Sequence, residues 1–152
     1  MTPEATLRLL DRLVGTWKTE GTHPAMPGEV VTGTAVAEWL EGRKFLIQRS
    51  RSDRPEFPAA ISIIGFTDRD RAEAASSSAL TMHYYDSRGV FRDYSASISE
   101  TEWRWSREAP GFSQRFVGRF SDGGDTIIGQ SQLCQDDVHW KDDLAITYRR
   151  QR

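Results

Sequence analysis

A chain of 152 residues suits one domain, and at about this length folding buries roughly 68–70% of the unfolded surface, enough for a core without disulfide staples. Its 20 basic and 22 acidic side chains leave a net charge of -2, which excludes the basic footprint of a nucleic-acid-binding protein. Cys134 is the only cysteine, the N-terminus lacks a basic-then-apolar leader, and no apolar run of about eighteen residues occurs, so a cytoplasmic protein without a membrane partner is expected.

The chain opens on a short amphipathic helix. Thr2 caps it, Pro3 takes the first position where its missing N–H costs nothing, and Glu4 complements the positive first turn. Leu7, Leu10 and Val14, with Leu9 and Leu13 beside them, share a face and leave Arg8, Asp11 and Arg12 outward until Gly15 stops the helix. The period then changes to two, with Thr16, Lys18 and Glu20 alternating against Trp17, Thr19 and Gly21. A break at 23–28 precedes strands over 30–40 and 43–51, and a loop at 52–58 rich in Pro precedes a strand over 61–67. Residues 68–78 form a polar connection. The strands 80–86 and 90–98 make the clearest hairpin, because Ser87-Arg88-Gly89 suits a three-residue loop with Gly in the left-handed position. Further strands cover 102–107, 112–120, 126–134 and 139–150, separated by the Gly and Asp turns at 108–111, 122–125 and 135–137. Ten strands at a spacing of roughly 8–12 residues predict an all-β fold, an up-and-down antiparallel barrel with a short N-terminal helix in a single domain, with a sandwich as the alternative.

Two groups of residues bear on function. The hairpin register sets His83 opposite Asp93 with Tyr85 two residues away, which is either a base and donor set facing a ligand or a solvated pair on the outer wall. The opposite face of that hairpin carries Leu80, Met82, Tyr84, Tyr94 and Ile98 and suits the interior. Trp103 and Trp105, with Phe112, Phe116 and Phe120 from the next strand, form an aromatic face that lines a pocket or fills the core. Asp136, Asp137, Asp142 and Asp143 near His139 match no metal-ligand spacing and read as surface. No glycine loop opens a helix to cradle phosphate, and no serine or cysteine sits in a nucleophile elbow.

Gly15-Thr16-Trp17 after a short helix, followed by meandering strands and a final Tyr148-Arg149-Arg150, resembles the calycin superfamily of lipocalin-like and fatty-acid-binding barrels. Residues 13–17, 38–42, 82–90 and 110–129 are similar to a bacterial lipocalin-like family of uncharacterised function, which agrees with the bias to Arg and the lack of Asn found in high-GC genomes. The resemblance implies that Trp17 closes one barrel end against a basic residue of the last strand, Arg150 by parity with Tyr148. It also implies a binding barrel rather than an enzyme, with a small apolar ligand as partner, His83, Tyr85, Asp93, Trp103, Trp105 and Phe116 as candidate ligand-binding residues, and a possible homodimer through the outer wall. The alternatives are a haem-binding nitrobindin-like protein and a small isomerase or hydrolase using His83, Tyr85 and Asp93 inside the barrel. The haem-binding nitrobindins are distant relatives in the same resemblance, but they use a late histidine as iron ligand. Here the histidines are His23 in a loop, His83 and His139 beside an acidic turn, so no haem or other cofactor is expected.

Overall fold

The computed structural model describes residues 2–72 and 79–152. Thr2 accepts the Ala5 N–H at 3.1 Å to start α1 (Pro3–Leu9), which tightens into a 3-10 turn at Leu10–Leu13. The amphipathic pattern drives this segment inward, since Leu10 and Leu13 belong to the core. Arg12 departs from the outward placement expected of it: its guanidinium lies over the Phe120 ring at 4.6 Å.

Among the described residues ten strands follow: β1 (Gly15–Thr22), β2 (Val31–Trp39), β3 (Phe45–Ser52), β4 (Ala60–Gly65), β5 (Leu80–Asp86), β6 (Phe91–Ile98), β7 (Glu102–Arg107), β8 (Ser113–Ser121), β9 (Thr126–Cys134) and β10 (Trp140–Gln151). Each pairs antiparallel with its neighbours in sequence, and β10 returns to β1, closing an up-and-down barrel. Closure removes both sheet edges and fixes the register, because one face of every strand must be buried. The β5–β6 hairpin has the register expected from its turn, Tyr85 opposite Phe91 and His83 opposite Asp93, and Gly89 takes the left-handed φ of 85° that the turn demands.

Three local features differ from the expectation. A short helix α2 (Asp68–Ala72) begins the polar connection, started by a reciprocal cap in which Thr67 N–H donates to Asp70 and Asp70 N–H to the Thr67 hydroxyl at 2.8 and 3.1 Å. The rest of that connection, 73–78, lies outside the described residues. Cys134, for which a small residue at the end of the strand over 126–134 predicts a half-buried place, is buried. β10 carries a bulge between Asp142 and Ala145, and Ser131 on β9 fills it, its hydroxyl accepting Leu144 N–H and donating to Leu144 C=O at 3.0 Å each.

The barrel has two unlike ends. At the first, α1 and its 3-10 turn lie over the starts of β1 and β9 and the ends of β8 and β10. At the second, the loops at 23–30, 53–59, 87–90, 108–112 and 135–139 surround a mouth.

Candidate functional site: the barrel lumen

The lumen holds a cavity of about 140 Å³. Its β7–β8 wall is aromatic: Trp103 and Phe116 are buried, and Trp105 stacks on Phe116 at 5.3 Å and 10°. Phe116 lies flat because Gly129 on β9 leaves room for it; a Cβ there would stand 2.6 Å from the ring. The opposite wall is polar. Gln48 and Ser62 are register partners on β3 and β4, and Ser50 follows on the same face. The side chains of Gln48, Ser50 and Ser62 and the Tyr148 hydroxyl have no hydrogen-bond partner among the described residues and border the cavity. The lining residues carry no formal charge. One wall therefore offers ring faces and the other hydrogen-bonding groups, an arrangement suited to a flat ligand with polar atoms on one edge.

Tyr84 and Tyr148 separate this cavity from a mouth space of about 270 Å³, and both line each space. Burial pushes the Tyr148 phenol up to about 12, so it stays a neutral donor. The rim on the β1–β4 side is mostly apolar, with Met26, Phe57 and Pro58. His23 belongs to this rim, yet both its ring nitrogens are engaged: Nε2 with Asp143 at 2.6 Å and Nδ1 accepting the Ala25 N–H at 3.0 Å. The β5–β8 side is polar. Tyr84 donates to Asp86 at 2.8 Å, and Arg88 pairs with the same carboxylate at 2.7 Å. The Arg88 guanidinium, helped by Tyr84 and opposed by burial, holds Asp86 well below the usual carboxylate range.

The other end is sealed. Trp17 and Arg150 are register partners, Trp17 is 2% exposed, and the Arg150 guanidinium lies over its ring at 4.2 Å. Trp17 Nε1 donates to Leu13 C=O at 2.9 Å. Arg150 donates to the carbonyls of Val14, Arg12 and Gly124 and to Asp125, tying the helical segment to the strands. Gly15 makes this possible, because its φ is 138° and a Cβ would meet Arg150 Nη1 at 2.6 Å.

A family model described as a protein of unknown function, DUF1579, matches residues 2–150. The chain belongs to the DUF1579 family. No curated protein matches it by sequence. In fold it is similar to Rv2717c from M. tuberculosis, with a TM-score of 0.68 and 17% identity over 97% of this chain and 98% of that one. It is also similar to an S-type phycobiliprotein lyase, CPES, from Guillardia theta, with a TM-score of 0.59 and 12% identity over 100% and 94% of the two chains.

Of the residues singled out in the DUF1579 sequence, Trp103, Trp105 and Phe116 border the cavity. His83, Tyr85 and Asp93 do not. Alternation puts Met82 and Tyr84 inward, so His83 and Tyr85 stand on the outer wall, where His83 Nε2 lies 3.4 Å from Asp93 and Tyr85 is 42% exposed. An isomerase or hydrolase site inside the barrel built on these three is thereby overturned. His139 is 82% exposed and bound to Asp136 at 2.6 Å. No histidine thus offers the lumen a free ring nitrogen for iron. Among the described residues no group of three or more His, Cys, Asp and Glu could hold a metal ion. The sequence reading missed Gln48, Ser50 and Ser62. Their signal was present in strand alternation, but it is hidden by Ile47, an apolar residue on the outer face of the same strand.

Proposed function

We propose that this DUF1579 protein is a binding barrel, without catalytic machinery of its own, for one small, flat, mostly apolar organic ligand held in the lumen. The observation that carries this is the two-sided cavity, with Trp105 and Phe116 facing the unpartnered Gln48, Ser50 and Ser62. Volume sets the ligand's size. A cavity of 140 Å³ is close to the ~150 Å³ that accommodates a single benzene ring, and the mouth adds 270 Å³, so a body of two or three fused rings fits and a tetrapyrrole macrocycle does not. The fold likeness to a protein named as a phycobiliprotein lyase supports a binding role.

Thermal unfolding in the presence of neutral aromatic compounds of one to four fused rings tests this. Two- and three-ring compounds are expected to raise the melting temperature with saturation, by an amount equal to about 2.7 kcal/mol at a hundredfold excess over Kd, while four-ring compounds leave it unchanged. No shift with any compound, or a shift that grows with ring number without a cutoff, would remove the lumen as the binding site.

A further inference from the structure

We propose that the ligand carries an anionic group, a carboxylate or sulfonate, which rests in the β6–β8 half of the mouth on Arg92 and Arg107, beside the Tyr94 ring. This assignment rests on the lumen being the binding site.

Strand parity brings the three groups together. Tyr94, Ala96 and Ile98 are the buried face of β6, and Arg92 lies two residues before Tyr94 on that face. On β7, Arg107 follows Trp103 and Trp105, and on β8 Gln114 precedes Phe116 in the same way. Pairing of β6 with β7 ends at Ser95 and Ser106, so the strands part where these side chains point in. Tyr94 donates to Gln114 Oε1 at 3.0 Å, Arg92 approaches the same oxygen at 3.4 Å and lies over Phe112 at 5.0 Å, and Arg107 donates to Phe112 C=O at 2.9 Å. Each guanidinium keeps further N–H groups in reserve.

Neither Arg92 nor Arg107 has an ion-pair partner among the described residues. The nearby carboxylate, Asp86, is already matched by Arg88 and Tyr84. Asp93 and Glu108 border, with His83, an outer-wall depression that Tyr94 and Arg107 also line where β6 and β7 part, and neither carboxylate forms an ion pair with Arg107. Both arginines act on the Tyr94 phenol, opposing the rise that burial imposes on it. In a chain of net charge -2, two unpaired cations at an inward-facing site are a local inversion that favours an anion.

An unbroken aromatic run links this site to the cavity. Tyr84 meets Tyr94 edge-on at 6.2 Å, Tyr94 meets Trp105 at 4.5 Å, and Trp105 stacks on Phe116. A ring lying on Trp105 therefore has its substituents next to Tyr94, whose hydroxyl shares Gln114 Oε1 with Arg92.

The test uses a matched pair of fluorescent probes, N-phenyl-1-naphthylamine, which is neutral, and 1-anilinonaphthalene-8-sulfonate, which adds a sulfonate to the same frame. The wild-type protein is expected to bind both, the sulfonate about tenfold more tightly, as charge-assisted hydrogen bonds give. Arg92→Gln with Arg107→Gln should remove that advantage, and an unchanged melting temperature shows that the variant is folded. Arg92→Lys with Arg107→Lys should retain most of it. Equal wild-type affinities, or an advantage that survives the glutamine pair, would overturn the anion site while the lumen reading stands. If neither probe responds to Ser62→Leu, which fills the cavity, the lumen reading fails and this proposal falls with it. Should the glutamine pair lose the neutral probe as well, salt decides on the wild type: between about 0.05 M and 0.5 M the sulfonate must weaken several-fold and the neutral probe must not, and an equal response overturns the proposal.

Discussion

Arginine does opposite things at the two ends of this barrel. Arg150 lies over Trp17 and spends its N–H groups on three backbone carbonyls and Asp125, with its side chain 16% exposed. Arg92 and Arg107 lie against Phe112 at the mouth, each with one protein oxygen as acceptor and no carboxylate partner among the described residues. The residue type is the same and the neighbours decide its role. At the sealed end, orphan carbonyls left by the 3-10 turn need donors, so the cation becomes structural. At the mouth, the strands part and leave a cation with spare donors facing the lumen, where a ligand can supply what the protein does not.

The largest effect expected from breaking this contrast is at Trp17. Trp17→Ala removes a ring that is 2% exposed and should cost about 3–5 kcal/mol in denaturant unfolding; a loss under about 1 kcal/mol would show that the sealed end is not part of the core. Arg150→Gln should cost about 2–3 kcal/mol, because buried carbonyls lose their donors, while Arg92→Gln should stay within about 0.5 kcal/mol. Equal losses at the two arginines would erase the distinction between the ends.

Acid should act on the mouth. The folded-state pKa of Asp86 is depressed, chiefly by Arg88, so its stabilisation is in place above the ordinary value of 3.8 and is lost as pH falls below that value. Melting temperature followed from about pH 6 to pH 3 should decline mainly at the acid end, and Asp86→Asn should flatten that decline. An unchanged slope in the variant would mean that the Tyr84–Asp86–Arg88 cluster does not couple to folding. Haemin should give no saturating Soret band at one equivalent, since no free histidine nitrogen faces the lumen. Such a band, abolished by His23→Ala, would place an iron site at the rim.

Much of the architecture is legible in the sequence because a barrel wall imposes a period of two and tight turns punctuate it. The Ser87-Arg88-Gly89 turn alone sets His83 against Asp93, and the parity of Tyr148 carries Arg150 onto Trp17. The five-residue α2 is too short to show a helical period, although Thr67 and Asp70 signal its cap. The site is less legible. Ligand-facing positions break the rule that inward means apolar: Gln48, Ser50 and Ser62 point in while Ile47 and Ile63 point out. Arg92 and Arg107 become site residues only because β6 and β7 part beyond Ser95 and Ser106, a feature of the closed sheet rather than of either strand.

The claim that the lumen is a binding site is tested most directly by titrating N-phenyl-1-naphthylamine into the wild-type protein and into Ser62→Leu. Ser62 borders the cavity and its hydroxyl has no partner among the described residues, so leucine there takes up much of 140 Å³ without breaking a hydrogen bond. The expected result is saturation at one equivalent for the wild type and no saturable signal for the variant, whose melting temperature stays equal or rises. Equal titrations of the two proteins would contradict it and move the ligand to the outside of the barrel.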